Sequence, residues 1–191
     1  MLEKFHVAEK DIIRVEEKKL RLVTKQILLT QGLSDKDATI ATDALIKADL
    51  RGVESHGVSN MLRAYLGAFK SNSLNPNPNW KVVKETPSCA TINSDNGLGI
   101  VVAPQAMEIA VEKAKKTGAG IVTMNNCGHL GMLAYHSMIA SQNDMIGTTM
   151  AACSPRMVPT YSSVRALGTN PISYSAPADK LPDFVFDAAM T

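Results

Sequence analysis

Residues 100–116 repeat apolar side chains every three or four positions, and Ile121, Val122, Thr123 and Met124 follow as an unbroken strand-like run, with Gly118 between the two segments. Ala103, Met107, Ala110, Val111 and Ala114 share one face of a helix with that period, and Pro104 is placed in its first turn, where a missing N–H does no harm. Gly118 is a natural helix stop. A buried strand so soon after an amphipathic helix restricts the chain to folds in which helices cover a sheet.

The rest of the sequence continues this alternation. One helix is predicted over residues 16–31, closed by Gly32. Ser34 then caps a second, with Asp35 and Asp37 in its first turn, and Ala38, Ala41, Ala44, Leu45 and Ala48 along it. A third helix is predicted over 58–70. Residues 71–79 contain Asn-Pro twice, which excludes regular structure and marks a domain boundary. Strands are expected over 80–83 and 90–92, separated from the long helix by a turn at Asp95-Asn96-Gly97. A helix over 132–142 and strands over 145–152, 172–175 and 184–186 complete the pattern. Residues 1–15 read as an irregular leader with a short strand at 5–7. The order of elements does not decide whether the sheet is parallel. Thr191 stops the chain directly after a strand, which reads as the end of a fragment.

Composition excludes several function classes. A net charge of +2 over 191 residues is too small for a polyanion-binding surface, and the lysines alternate with acids along the helices. Nucleic acid is therefore not an expected partner. Cys89, Cys127 and Cys153 are three, widely spaced and without a CxxC pair, so a reduced chain is the simpler reading. No run of eighteen apolar residues occurs, and the first residues lack the apolar centre of a signal peptide. A soluble, cytoplasmic protein without membrane contact is expected.

Four histidines are present. His6 lies in the leader, and His136 sits inside a predicted helix, where packing is its ordinary role. His56 and His129 differ, because each occupies a glycine-flanked turn between elements: Glu54-Ser55-His56-Gly57 and Cys127-Gly128-His129-Leu130-Gly131. Such turns are where scaffolds present reactive groups, and imidazole suits proton transfer near neutral pH. Three rival chemistries fare worse. No CxxC or HExxH spacing supplies further metal ligands around His129, so no metal is expected. No G-x-S-x-G elbow surrounds Ser55, which reads instead as a hydroxyl supporting the histidine. Nothing marks the Cys127 thiol as activated. Gly97-Leu98-Gly99 is an incomplete dinucleotide fingerprint that opens no helix directly after a long strand. Gly168-Thr169-Asn170-Pro171 can hold a ribose or phosphate, though a plain turn has the same composition.

Taken in order, these pieces resemble the malate/L-lactate dehydrogenase family that is distinct from the Rossmann-type enzymes. The resemblance rests on Ala48-Asp49-Leu50-Arg51-Gly52 with Ser55-His56-Gly57, on Leu74-Asn75-Pro76, and on Asp95-Asn96-Gly97-Leu98-Gly99. It continues through residues 126–131 around His129, Gly168-Thr169-Asn170-Pro171, and Phe186-Asp187-Ala188-Ala189. It implies an α/β fold with a largely antiparallel central sheet, a non-Rossmann nicotinamide site and an N-terminal helical region. On that reading residues 1–78 form a helical region for substrate and dimer contacts, and 79–191 the first part of a cofactor-binding sheet domain. The resemblance also implies a homodimer using NAD or NADP on a small 2-hydroxy or 2-keto acid.

Carried over by motif, His56 is the favoured acid/base and His129 its partner over the substrate oxygen, with Asp187 near the cofactor and orienting the first histidine. Cys153, Ser154, Thr169, Asn170, Asp187 and Ala189 match cofactor-contact positions, and Ser55, Asn60 and Arg63 fall on the substrate side. Three positions depart from the pattern. Asn60 stands where many members carry a carboxylate-gripping arginine, leaving Arg63 one turn further on. Cys153 replaces a serine or threonine, and Tyr161-Ser162 replaces paired glycines. A binding or dimer-forming family member without catalysis is the alternative these departures favour. A histidine-dyad hydrolase or lyase ranks last.

Overall fold

A computed structural model describes residues 12–190 of the chain. His6 and the strand expected at 5–7 lie outside the described residues. The elements are helices α1 (Glu17–Thr30), α2 (Asp35–Leu50), α3 (Arg63–Lys70), α4 (Gly99–Thr117) and α5 (Ala134–Ser141), and strands β1 (Lys81–Glu85), β2 (Cys89–Asn93), β3 (Ile121–Asn125), β4 (Gly147–Met150), β5 (Ile172–Ala176) and β6 (Phe184–Ala188).

Local chemistry sets several boundaries as the sequence predicts. Ser34 Oγ accepts the Asp37 N–H at 3.1 Å, satisfying one of the donors that a helix start leaves free. Gly32 and Gly118 take positive φ, of 93° and 83°, and so end α1 and α4. Two expectations need correcting. The helix predicted from Val58 opens instead as a π turn, Val58–Leu62, before α3 begins. Pro104 lies inside α4 rather than in its first turn, because the helix starts at Gly99, so one backbone hydrogen bond is missing there.

The strands form two small sheets in place of the one central sheet expected. β1 pairs antiparallel with β2, with a bulge between Val82 and Lys84, while β2 pairs parallel with β3. A parallel neighbour needs a crossover, and α4 supplies it. β4, β5 and β6 form an antiparallel meander. Three of the four pairings are thus antiparallel, in line with the implied preference, and the exception is the β2–α4–β3 unit.

The largest apolar cluster joins the helical region to the start of α4: Leu28, Leu45, Tyr65 and Phe69 pack with Leu98, Ile100 and Val101. Leu28, Leu45 and Ile100 are no more than 1% exposed, and burying each such side chain contributes about 1.5–3 kcal/mol. A second cluster sets Ala48 of α2 against Met132 and Ala134, and a third sets Ile92 of β2 against Val102 and Ala106 of α4. α5 rests on the meander through small groups. Ser137 Oγ lies 2.9 Å from Ser173 Oγ and 2.7 Å from Ser175 Oγ, all buried. A Cβ on Gly147 would run into the Ser137 carbonyl. Among the described residues no helix is long and apolar enough to cross a membrane.

Candidate active site

Three stretches that look unrelated in the sequence fold into one knot. The Asn-Pro loop docks on the turn after β2: Asn75 N–H donates to the Asn96 carbonyl at 2.9 Å, and Asn79 N–H to Asp95 Oδ2 at 2.9 Å. That turn in turn holds the loop after β3. Asn96 N–H reaches the Asn126 carbonyl at 2.8 Å, Gly128 N–H the Gly97 carbonyl at 2.9 Å, and Ile100 N–H the His129 carbonyl at 3.2 Å. The contact is too close for side chains, because a Cβ on Gly99 would overlap the carbonyls of Gly128 and His129. Gly99 begins α4 one residue before the predicted start, after a turn rather than directly after a long strand, and it lets the His129 loop lie against the start of that helix.

His56 arrives from another direction. Ala48 and Asp49 lie near the end of α2, and the Val53 N–H donates to the Ala48 carbonyl at 2.8 Å. A 3-10 turn follows at Glu54–His56. Asp49 Oδ2 accepts the Val58 N–H at 2.9 Å, and its carboxylate occupies the place a Cβ of Gly57 would need. That close approach gives Gly57 its purpose in the Ser-His-Gly segment.

The two histidines meet. Their rings stack with centroids 5.4 Å apart and planes 18° from parallel. Ser55 Oγ lies 2.8 Å from His56 Nδ1. His129 Nδ1 receives the hydroxyl of Tyr65 at 2.9 Å and faces the N–H of Gly131 at 3.3 Å. A backbone N–H can only donate, so Nδ1 is the acceptor and the neutral His129 ring carries its proton on Nε2. Burial lowers the pKa of both imidazoles. The charge of Asp187 pulls His56 the other way, whereas His56 depresses His129 further.

Tyr65 is the partner of His129 that the sequence did not single out. It is 2% exposed, and burial raises its phenol well above the ordinary range, so it stays a neutral donor. Its place on a helix face beside Leu62 and Phe69 looks like core, and only the fold reveals the bond to His129.

Asp187, at the end of β6, accepts the Ala134 N–H at 2.7 Å through Oδ2 and so caps the start of α5. Burial raises its pKa, against the pull of backbone donors and His56. Its influence on His56 is electrostatic. Asn60 is committed elsewhere, since its Nδ2 donates to the Glu54 carbonyl at 2.8 Å and braces the 3-10 turn. Arg63 is exposed at the start of α3. The cofactor candidates gather at one end of the meander, where β4 ends, β5 begins and β6 ends. Cys153 N–H donates to Asn170 Oδ1 at 3.1 Å, and Met190 N–H to the Thr169 carbonyl at 3.0 Å. Asn170 and Tyr161 both hold positive φ, at 37° and 63°. Ser154, Asn170 and Ala189 are exposed. Among the described residues no group of three or more His, Cys, Asp or Glu side chains could hold a metal ion.

This geometry has relatives. The sequence model of the malate/L-lactate dehydrogenase family matches residues 15–191. The chain belongs to the malate/L-lactate dehydrogenase family. Malate dehydrogenase of Pyrococcus abyssi is 41% identical over 189 residues, covering 99% of this chain and 51% of that protein. L-sulfolactate dehydrogenase of Methanocaldococcus jannaschii is 39% identical over 169 residues, covering 88% and 48%. Ureidoglycolate dehydrogenase (NAD(+)) of Escherichia coli K12 is 28% identical over 179 residues, covering 94% and 51%. The solved structure of malate dehydrogenase from Pyrococcus horikoshii OT3 superposes with a TM-score of 0.92 at 41% identity, over 100% of this chain and 54% of that one. The chain spans about half the length of the curated family members it matches.

Proposed function

We propose that this chain carries the proton-handling part of a dehydrogenase that moves a hydride between NAD or NADP and a small 2-hydroxy or 2-keto acid. The observation that supports this most is the stacked, asymmetric pair of His56 and His129. Tyr65 and Gly131 keep His129 as an Nε2–H donor, suited to hold and polarise an oxygen at C2. Asp187 favours imidazolium on His56, the histidine better able to take up and return the hydroxyl proton. When Ser55 Oγ accepts from Nδ1–H, the Nε2 lone pair of His56 is free to act as base. In the reducing direction the same ring donates its proton to the keto oxygen.

The polar end of the meander fits a nicotinamide nucleotide. Ser154, Thr169 and Asn170 offer hydroxyl and amide groups around a loop held to Cys153, and Asp187 and Ala189 border it on the β6 side. Those residues would hold the cofactor, which supplies the hydride chemistry that no side chain possesses. Arg63 is assigned the substrate carboxylate, because Asn60 can hydrogen-bond but cannot neutralise its charge. Residues 1–78 are read as the substrate and dimer region and 79–191 as the start of the sheet domain, in a cytoplasmic homodimer.

The test is a titration of the protein with NADH and NADPH, followed by a panel of 2-keto acids read by loss of nicotinamide absorbance. His56→Ala and His129→Ala should each slow turnover about 100-fold or more, and Arg63→Ala should mainly raise KM. No cofactor binding by folded protein would support the non-catalytic alternative instead.

A further inference from the structure

His136 stands apart from the two site histidines, yet it is wired to one of them. It lies in α5 at 1% exposure, with its ring edge-on to Tyr135. Its Nε2 is 2.7 Å from the Leu130 carbonyl. A carbonyl only accepts, so Nε2 carries the proton and donates it. The other nitrogen, Nδ1, has no hydrogen-bond partner among the described residues. A phenyl ring of similar size would fill this place without burying a polar atom, so packing alone does not account for an imidazole.

The Leu130 carbonyl belongs to the same peptide group as the Gly131 N–H. That N–H faces His129 Nδ1 at 3.3 Å. One peptide plane therefore links the two rings: His136 Nε2–H grips its oxygen, and its N–H points at His129. Gly131 holds φ at 65°, a backbone geometry that lets this plane turn toward the ring. Donation to the oxygen also polarises the peptide and strengthens its N–H as a donor.

We propose that His136 is a positioning residue that sets the tautomer of His129 by fixing the Leu130–Gly131 peptide. The inference rests on the reading of His129 as the group that holds the substrate oxygen. Without His136, this peptide loses its tether and Tyr65 alone orients the ring. His129 then samples the Nδ1–H form, in which Nε2 can no longer donate to substrate.

Nitrogen-15 NMR of histidine-labelled protein at neutral pH tests this directly, beside steady-state kinetics of the same samples. The unsubstituted protein should show His129 and His136 both as Nε2–H tautomers. His136→Phe should leave His129 as a tautomer mixture and lower kcat about 5- to 10-fold, the loss expected for one hydrogen bond, with KM for the keto acid within twofold. His136→Gln keeps an N–H at the Nε2 position and should restore both readouts. Unchanged His129 nitrogen shifts in a folded His136→Phe protein would overturn the proposal. So would an Nδ1–H tautomer of His136 in the unsubstituted protein, a measurement that needs no variant to fold. If no turnover is found in any sample, the dehydrogenase reading fails, while the nitrogen shifts still decide the part played by His136.

Discussion

The knot around His129 and the loop over residues 151–171 both follow a strand as irregular segments, but they are built differently. The knot is braced by backbone hydrogen bonds from two other segments and sits on the largest apolar cluster. The loop holds itself by local bonds, such as the Met157 N–H to the Leu167 carbonyl at 2.9 Å, and leaves Val158, Tyr161, Val164 and Leu167 exposed. Large apolar side chains left in solvent are suited to cover by another part of a protein or a ligand. The groups proposed to handle protons are thus preorganised within this chain, while the side proposed for the cofactor is an open rim.

Acid should separate the two regions most. Burial holds the pKa of His136 down to about 4, against about 6.5 in an unfolded chain. Between those values the unfolded state binds a proton that the folded state refuses, so stability falls as pH drops from about 6.5 to about 4, by roughly 3 kcal/mol. His56 and His129, also lowered, act in the same direction, and Asp49 and Asp187, raised by burial, oppose it at the acid end. Urea unfolding at pH 7.5 and pH 4.5 should show the loss, and His136→Phe should remove most of it. Equal pH sensitivity in that variant would mean that the knot does not depend on a neutral His136.

Gly99→Ala is a sharper probe of the knot alone. Alanine favours a helix interior over glycine by up to about 1 kcal/mol. Here, however, the new Cβ must push the backbone carbonyls of Gly128 and His129, and overpacking of that kind costs about 1–3 kcal/mol. The clash outweighs the propensity, so the expected outcome is net destabilisation in thermal or urea unfolding, together with slower turnover as the His129 loop shifts. A stabilised variant would show that the loop yields freely and is not preorganised.

The smallest effect belongs to the rim. Tyr161 is fully exposed and holds a φ of 63°, which glycine adopts without strain. Tyr161→Gly should change stability by no more than about 0.5 kcal/mol and should lower the KM for the nicotinamide if this loop borders the cofactor. A large stability loss would place the loop with the knot rather than against it.

Some of this was legible residue by residue. Ser34, Gly32 and Gly118 announced helix ends because caps and left-handed stops are local chemistry, read within one turn of chain. The glycine-flanked turns singled out His56 and His129 for a similar reason. Tyr65 was not legible, since its partner lies 64 residues away and its own neighbours are apolar. His136 was read as packing, and it is buried, but its bond to Leu130 gives it a second part that no spacing rule could show. Asn60 was carried over as a substrate contact, and the structure adds a bond from its amide to the Glu54 carbonyl that no spacing rule shows.

The sequence by itself determined where most helices and strands form, which two histidines stand on glycine-flanked turns, and, through the order of its motifs, the family. Each of those rests on interactions between near neighbours or on a pattern spread along the chain. Only the tertiary structure decided that the strands divide into two sheets, that the two histidine turns meet face to face, and which nitrogen of His129 carries the proton. The physical reason is common to all three. They depend on backbone pairings, ring contacts and a local peptide orientation that are set only once the apolar clusters have closed and brought distant segments together.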